Sequence, residues 1–519
     1  MKLNYLSLAI TSLFTTVCFA QNSPTWENFV DAKKNGTEAI LPDFSFAGYK
    51  HSEEAIPTVD YKVFDVTKYG AKPSDKKSDK KAIQKAIAAA VKNGEGIIYF
   101  PKGKYNLNTK KDDQKPIIIK SSNIVFRGEG EGDDGSILFF ENDLPPADPK
   151  KFYSCPSAIQ TSAGGRDQLL TEITSNAKRE TFQLKVKDAS RIKKGDWVIL
   201  KLLNNDKKLV HDDIAPLELE NAWKTIINKG VQVNERHQIA SIKGKTITFV
   251  EPIHYDVQKK YGWKLYSYAH SEGLGFENIQ FEGNWHKDFV HHRSAQDDSG
   301  WAILKVSRAV NSWVRNCTFK NVTNALMFSQ AAYSTALDIS IEGSIGHMSV
   351  DSGGGSTGIL LANIIDHAGM HHAVGVGGGS TSATVVWRAK YPAHTSFESH
   401  ASQPRCTLLD NIEGGFFQGR AGGARQNLPN HGRYLVLWNY KQLSPAIKDF
   451  RFVATDSWYW RVVPPIIVGF HGSDTSFKLD EVQIAESIGT PVKPESLFEE
   501  QLKLRLGSLP DWILSAKKQ

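Results

Sequence analysis

The chain has 519 residues, including 41 glycines and 26 phenylalanines, and carries a formal charge of +7 at neutral pH. That length accommodates one large repetitive domain or two ordinary ones, and the glycine and phenylalanine content suits a turn-rich β protein. The basicity is mild and scattered, which excludes a nucleic-acid binder and suits an acidic ligand. Beyond the N-terminal segment, Cys155, Cys317 and Cys406 are too few and too widely spaced for a disulfide scaffold and read as small buried hydrophobes.

Residues 1–20 read as a signal peptide: Lys2 supplies the positive end, Leu3 to Val17 is mostly apolar, and Cys18-Phe19-Ala20 offers the cleavage flank. No later run approaches the roughly 18 apolar residues that span a bilayer. The mature chain is therefore expected to be secreted or periplasmic, monomeric, and without membrane or nucleic-acid partners. Residues 21–56 form an N-terminal extension, and the main domain is predicted over 57–485. It opens with a strand and turn at Phe64 to Lys72. Asp79 is predicted to cap a helix whose apolar stripe is Ala82, Ile83, Ala86, Ile87, Ala90 and Val91. Asn93-Gly94 ends that helix, and Gly96 to Tyr105 returns as a strand. The helix carries no chemistry and is expected to cap an open core.

Residues 180–265 break the rhythm and read as a small inserted β subdomain. After residue 270 a repeat appears, with Phe281, Phe319, Ile341, Ile365, Val386, Ile412 and Trp438 at equivalent positions. After Phe319 the intervals are 22, 24, 21, 26 and 26 residues, each a short β run followed by Gly or Asn. Strands alone at such a period indicate a solenoid whose coils stack around a continuous core. The fold class is all-β: a single-stranded, right-handed parallel β-helix with an N-terminal capping helix and the inserted subdomain. The longer interval from Phe281 to Phe319 fits a coil carrying a loop around His291-His292-Arg293. Residues 486–519 form a C-terminal tail with a helix over Glu495 to Arg505, ended near Gly507 and Pro510.

Stacking makes neighbours of residues one coil apart, at about 4.8 Å along the axis. The segment from Gly358 to Tyr440 concentrates His, Arg and Asn, and coil spacing places Arg405 beside Asn430 and His431. Alternation sets Glu398 and His400 on the face opposite Phe397. That set matches β-elimination on a uronic acid polysaccharide. The sugar carboxylate is neutralised by Arg or Asn, an imidazole or phenol removes the C5 proton, and a second group protonates the departing O4. The catalytic candidates are His400, Arg405, Tyr391 and His431; the substrate-binding candidates are Arg388, Glu398, Asn430, His371, His372 and Arg293. If the chain is extended, His371 and His372 point to opposite faces, and at most one serves a site. No metal site is assigned. Gly369 between His367 and His371 opposes a zinc-binding helix, and Asp297-Asp298 reads as a pair of exposed loop acids. No cofactor is assigned, with Ca2+ left open.

The opening from Phe64 to Ala71, the following helix and the run Ile98 to Tyr105 resemble the start of pectate-lyase-superfamily parallel β-helix proteins. Asn284-Trp285, Phe289 to Ser294, Phe397 to Arg405 and Pro429-Asn430-His431 are similar to secreted Bacteroidetes polysaccharide lyases, including the glycosaminoglycan lyases of family 29. The resemblance implies a lyase acting on an anionic polysaccharide, with a glycosaminoglycan such as chondroitin sulfate, dermatan sulfate or hyaluronan favoured. The calcium-binding acids of pectate lyases are unmatched, which opposes a calcium-dependent mechanism. Two other readings stand beside it. A β-helix glycoside hydrolase would draw its carboxyl pair from Asp351, Asp366, Glu398, Asp410 and Glu413. A non-catalytic glycan binder would use Trp301, Trp313, Trp387 and Trp438.

Overall fold

The computed structural model describes residues 21–417, 422–454 and 461–517; the predicted signal peptide lies outside them. The chain winds into a parallel β-helix. A 14-stranded sheet runs from Val63–Asp65 to Ile484–Glu486, and a seven-stranded sheet runs from Ile117–Ile119 to Glu398–His400. Phe281 pairs with Phe319, and Phe319 with Ile341, as the repeat predicts. Further on the ladder slips. Ile341 meets Asp366 rather than Ile365, and Val386 belongs to a different row, which runs Ala336, Leu361, Val386, Leu409, Leu437 and Ile467. Ile412 and Trp438 therefore hold other positions, because coil length varies at the corners while the strands keep register.

One corner recurs in the left-handed conformation. Asn278, Asn316, Asp338, Asn363, Arg388, Asn411 and Asn439 have φ between 48° and 57°. Asn and Asp tolerate that region because their short polar side chains bond locally, which explains the Asn that follows so many β runs. The corner stacks on itself: Asn316 Nδ2 donates to Asn278 Oδ1 at 3.1 Å, and Asn363 Nδ2 to Asp338 Oδ1 at 2.8 Å.

The predicted helix spans Lys80–Asn93, buries Ala82, Ile83, Ala86, Ile87 and Ala90, and ends at Gly94 in the left-handed conformation. Asp79 holds the cap position without a capping bond. Its oxygens take the amides of Lys72 and Asn106 instead, at 2.8 and 3.0 Å. The C-terminal helix runs Leu497–Leu506 to Gly507, and a second helix, Asp511–Ala516, follows Pro510. A further helix, Pro24–Asn35, occupies the N-terminal extension. The inserted unit is a six-stranded antiparallel sheet from Leu169–Glu172 to Lys264–Ser267, carrying short helices at Lys207–Ile214 and Lys224–Lys229. Cys155, Cys317 and Cys406 are free and buried. Among the described residues no helix is long and apolar enough to cross a membrane.

These additions decide which flank of the solenoid meets solvent. The terminal helices pack Phe29, Leu497, Phe498 and Ile513 against Leu360, Val385, Trp387, Leu408 and Trp438 on the outside of the long sheet. Each such buried side chain contributes about 1.5–3 kcal/mol. The inserted sheet packs on another flank, reaching Ala401, Leu428 and Val463. The outward row of the seven-stranded sheet carries the charged residues Lys305, Asp351 and Glu398 among its members.

Candidate functional site

That row runs Lys305, Met327, Asp351, Gly375 and Glu398, paired strand to strand in this order. Their neighbours Leu304, Val306, Val350, Val374 and Val376 point into the core, so alternation turns the row outward. Gly375 leaves a gap between two carboxyls: a Cβ there would stand 3.0 Å from Met348 Cε and 3.2 Å from Asp351 Oδ1. His400 follows Glu398 on the same strand, beside Gly377.

Histidines gather at the end of the sheet where the strands begin. His347 precedes the strand Met348–Gly353, and His371 precedes the strand His372–Gly377. His291 arrives from the excursion between Gly283 and Ala302. Ring centroids lie 4.4 Å apart for His291 and His371, 4.5 Å for His371 and His372, and 5.3 Å for His347 and His372. Phe289 stacks on His347 at 6.0 Å.

Buried acids fix the loops that present these rings. Asp298 accepts the amide of His292 at 2.9 Å and meets His292 Nδ1 at 2.6 Å, while its carbonyl faces His347 Nδ1 at 2.8 Å. Asp297 accepts from the Val290 amide at 3.1 Å and from Arg293 Nη2 at 2.6 Å. Both aspartates are buried, not exposed as expected, and their oxygens are taken up in holding the excursion. Asp366 takes the amides of Gly369 and Met370 at 2.8 and 2.9 Å and so shapes the turn into His371.

Burial sets the protonation of the groove. It pushes Glu398 up to about 8. Asp351 is pushed up to about 7, first by burial and then by the nearby Glu398, against the opposing charges of His400 and Lys305. Burial also lowers Lys305, with Asp351 opposing. His372 falls well below the ordinary imidazole value, through burial first and then the surrounding His347, His371, His291 and His400. His347 is lowered for the same leading reason. At neutral pH the site thus holds neutral His347 and His372 rings beside a mostly protonated Glu398, with Asp351 near its midpoint.

Of the sequence-predicted residues, Glu398, His371 and His372 come together, with His400 alongside and Arg293 bracing the excursion. The expectation that His371 and His372 point to opposite faces is corrected, because His371 precedes the strand and the two rings lie 4.5 Å apart in the same cluster. The others lie elsewhere. Arg405 is buried and pairs with Asp213 of the inserted unit at 3.0 Å, stacked over Tyr255 at 4.7 Å. Arg388 occupies a left-handed corner, over Trp387, and binds Glu499 and Glu495 at 2.7 and 2.9 Å, tying down the C-terminal helix. Tyr391 is a core residue whose hydroxyl meets that of Tyr440 at 2.8 Å. His431 is fully buried, facing Thr407 Oγ1 and the Gly432 carbonyl at 2.9 Å each, and burial lowers it to about 4. Asn430 accepts the Arg461 amide at 2.9 Å and donates to the Gly422 carbonyl at 3.0 Å, holding Gly422 against the Glu398 carboxyl. These side chains point into the core, toward the inserted unit or, for Arg388, toward the C-terminal helix.

The hydrolase candidates sort the same way. Asp410 receives the Ser496 hydroxyl and the amides of Leu497 and Phe498, and so caps the C-terminal helix. Glu413 pairs with Lys441 at 3.1 Å. Only Asp351 and Glu398 of that set face the groove. Sequence reasoning missed His347 and Lys305 and left His291 and Asp351 unassigned to a common site. Their signal lies in spacing, since His347 and Asp351 each precede a groove position, His371 and Gly375, by 24 residues. Trp285 and Trp313 are core residues, with Trp285 Nε1 donating to the Ile345 carbonyl at 2.7 Å.

The coils define a parallel β-helix. Residues 63–166 match the family model described as rhamnogalacturonase A/epimerase, pectate lyase-like, and residues 369–516 match a domain of unknown function, DUF4955. No curated protein sequence matches the chain significantly. Similar solved structures include the tailspike protein gp49 from Pseudomonas phage LKA1, at 13% identity over 80% of this chain and 76% of that one, with a TM-score of 0.47. PfbA, a surface adhesin of Streptococcus pneumoniae, matches at 11% identity over 80% and 79% of the two chains, with a TM-score of 0.41. The family 28 exopolygalacturonase of Yersinia enterocolitica matches at 10% identity over 80% and 66%, with a TM-score of 0.33.

Proposed function

We propose that the protein is an exported polysaccharide lyase that cleaves a uronic-acid-containing anionic polysaccharide by β-elimination, with a glycosaminoglycan as the favoured substrate. The observation that carries this reading is the meeting of neutral imidazoles with buried carboxyls on the outward row of a β-helix sheet. An imidazole of the cluster takes the C5 proton, the C4–O4 bond breaks as the C4–C5 double bond forms, and a carboxyl returns a proton to O4. Lys305 and His400 face the uronate carboxylate and the charge that develops on it. The pectate-lyase-like match over 63–166 supports a carbohydrate substrate.

One observation favours a second reading. Asp351 and Glu398 are two strands apart, about 9.6 Å by strand spacing. That lies near the separation at which an inverting glycoside hydrolase accommodates its water. Incubation with chondroitin sulfate, dermatan sulfate, hyaluronan, alginate and ulvan separates the two. Ultraviolet absorbance of a 4,5-unsaturated uronate is the expected result. New reducing ends without that absorbance transfer the assignment to a hydrolase. If neither appears while the polysaccharide binds, the protein is a glycan-binding β-helix.

A further inference from the structure

We infer that His291, His371 and His372 form a binding site for a first-row divalent transition metal, Zn2+ foremost, at the solvent-facing end of the groove. Ligand atoms from the three residues lie within 4.8 Å of one another, and the residues grade from exposed His291 through half-buried His371 to buried His372. Imidazole nitrogens converging from three separate chain segments suit zinc, cobalt or nickel; calcium demands six to eight oxygens and does not fit this donor set. A second observation is independent of the convergence. His372 Nδ1 is buried with no hydrogen-bond partner, while Nε2 of the same ring faces Glu398 Oε1 at 3.6 Å. A carboxyl group behind one ring nitrogen and no partner on the other suits a metal-binding histidine, since metal binding would favour the ionised form of that carboxyl. The supports are also in place: Asp297 and Asp298 hold the excursion that carries His291, and Asp366 shapes the turn that carries His371.

The site deepens the lyase reading and rests on it for its purpose. β-Elimination requires the uronate carboxylate to be neutralised, and with Arg405 and Arg388 committed to ion pairs elsewhere a metal would share that task with Lys305 and His400. A metal on three imidazoles keeps open positions on the exposed side, where a carboxylate would coordinate.

The test is metal binding by the full mature chain, stripped with a chelator and titrated with Zn2+ by calorimetry and with Co2+ by visible absorbance. One equivalent is expected, with His291→Ala and His371→Ala each weakening binding by about 100-fold or more. His211→Ala, an exposed histidine on the inserted unit, should bind as the parent does. Thermal melts of the metal-free variants check folding. No bound equivalent, or equal affinity in the His291 and His371 variants, overturns the site. Stoichiometric binding without uronate cleavage upholds the metal site and rejects the lyase reading. Cleavage that survives metal removal does the reverse, leaving the lyase and removing the metal's role.

Discussion

Two regions of this molecule bury charged side chains, and they do so for opposite ends. At the seam between solenoid and inserted unit, the charges find partners: Arg405 meets Asp213, His51 meets Glu251 at 2.7 Å, and His237 meets Glu235 at 3.2 Å. In the groove, Asp351 and Glu398 face each other across a glycine and the histidines crowd one another, with only a 3.6 Å approach of His372 Nε2 to Glu398 Oε1 between the two sets. The seam is arranged to be stable when charged. In the groove burial raises Asp351 and Glu398 toward neutrality and lowers His347 and His372, a condition suited to moving protons. Buried charge alone therefore does not single out the candidate site; the crowding of acids with acids and imidazoles with imidazoles does.

Substitutions should pull the two regions apart. In the groove, His371→Ala and Glu398→Gln are each expected to lower turnover by about 100- to 10,000-fold with little change in melting temperature. Unaltered unsaturated-uronate production in both would remove the groove as the centre. At the seam the pattern reverses. Arg405→Ala strands Asp213 and is expected to destabilise the fold by about 3–5 kcal/mol in denaturant melts. The double variant Arg405→Met with Asp213→Leu should recover part of that loss, and its turnover should be near the parent's.

A smaller effect is expected at Gly375→Ala, whose new methyl group would crowd Met348 and Asp351 in the gap. Turnover should fall about tenfold with the fold retained; an unaffected rate would show that substrate does not enter between the carboxyls. The smallest effect is in pH dependence at the seam. Burial alone would lower His237, but hydrogen bonds to Glu235 and Glu251 outweigh it and raise the ring to about 9. Burial alone would raise Glu251, but its bonds to His237 and His51 bring it down to about 2. The raised histidine stabilises fully below its unfolded value of about 6.5, and that contribution is lost as pH rises through 9. The depressed glutamate stabilises above about 4.3, and its contribution is lost as pH falls through 2. The melting-temperature difference between parent and His237→Gln should thus be largest between about pH 4.3 and 6.5. A difference that keeps growing above pH 9 would contradict the pairing.

The solenoid was legible in the sequence because its strands repeat, and its Asn corners repeat with them. The ladder drifted at Ile365 because corner length varies and only the strands keep register. At the site, Glu398 and His400 were legible from alternation alone. Arg405, Asn430 and His431 were not, since spacing shows which residues neighbour one another and not which way each points. His347 escaped notice because it stands outside the dense segment, and Asp351 because the partner opposite it is a glycine. The inserted unit concealed the most: nothing in the run Pro404-Arg405 signals an aspartate near residue 213.

The excursion that carries His291 has a consequence for how such a groove changes over time. Strand-borne groups such as Asp351 and Glu398 are locked to the pitch of the coil, so their separation is quantised in steps of one strand. His291 hangs from a corner, braced by Asp297 and Asp298. Residues gained or lost there move the ring over the groove without disturbing any ladder. The solenoid thus supplies a fixed ruler, and the excursion supplies a part whose reach its own length can set.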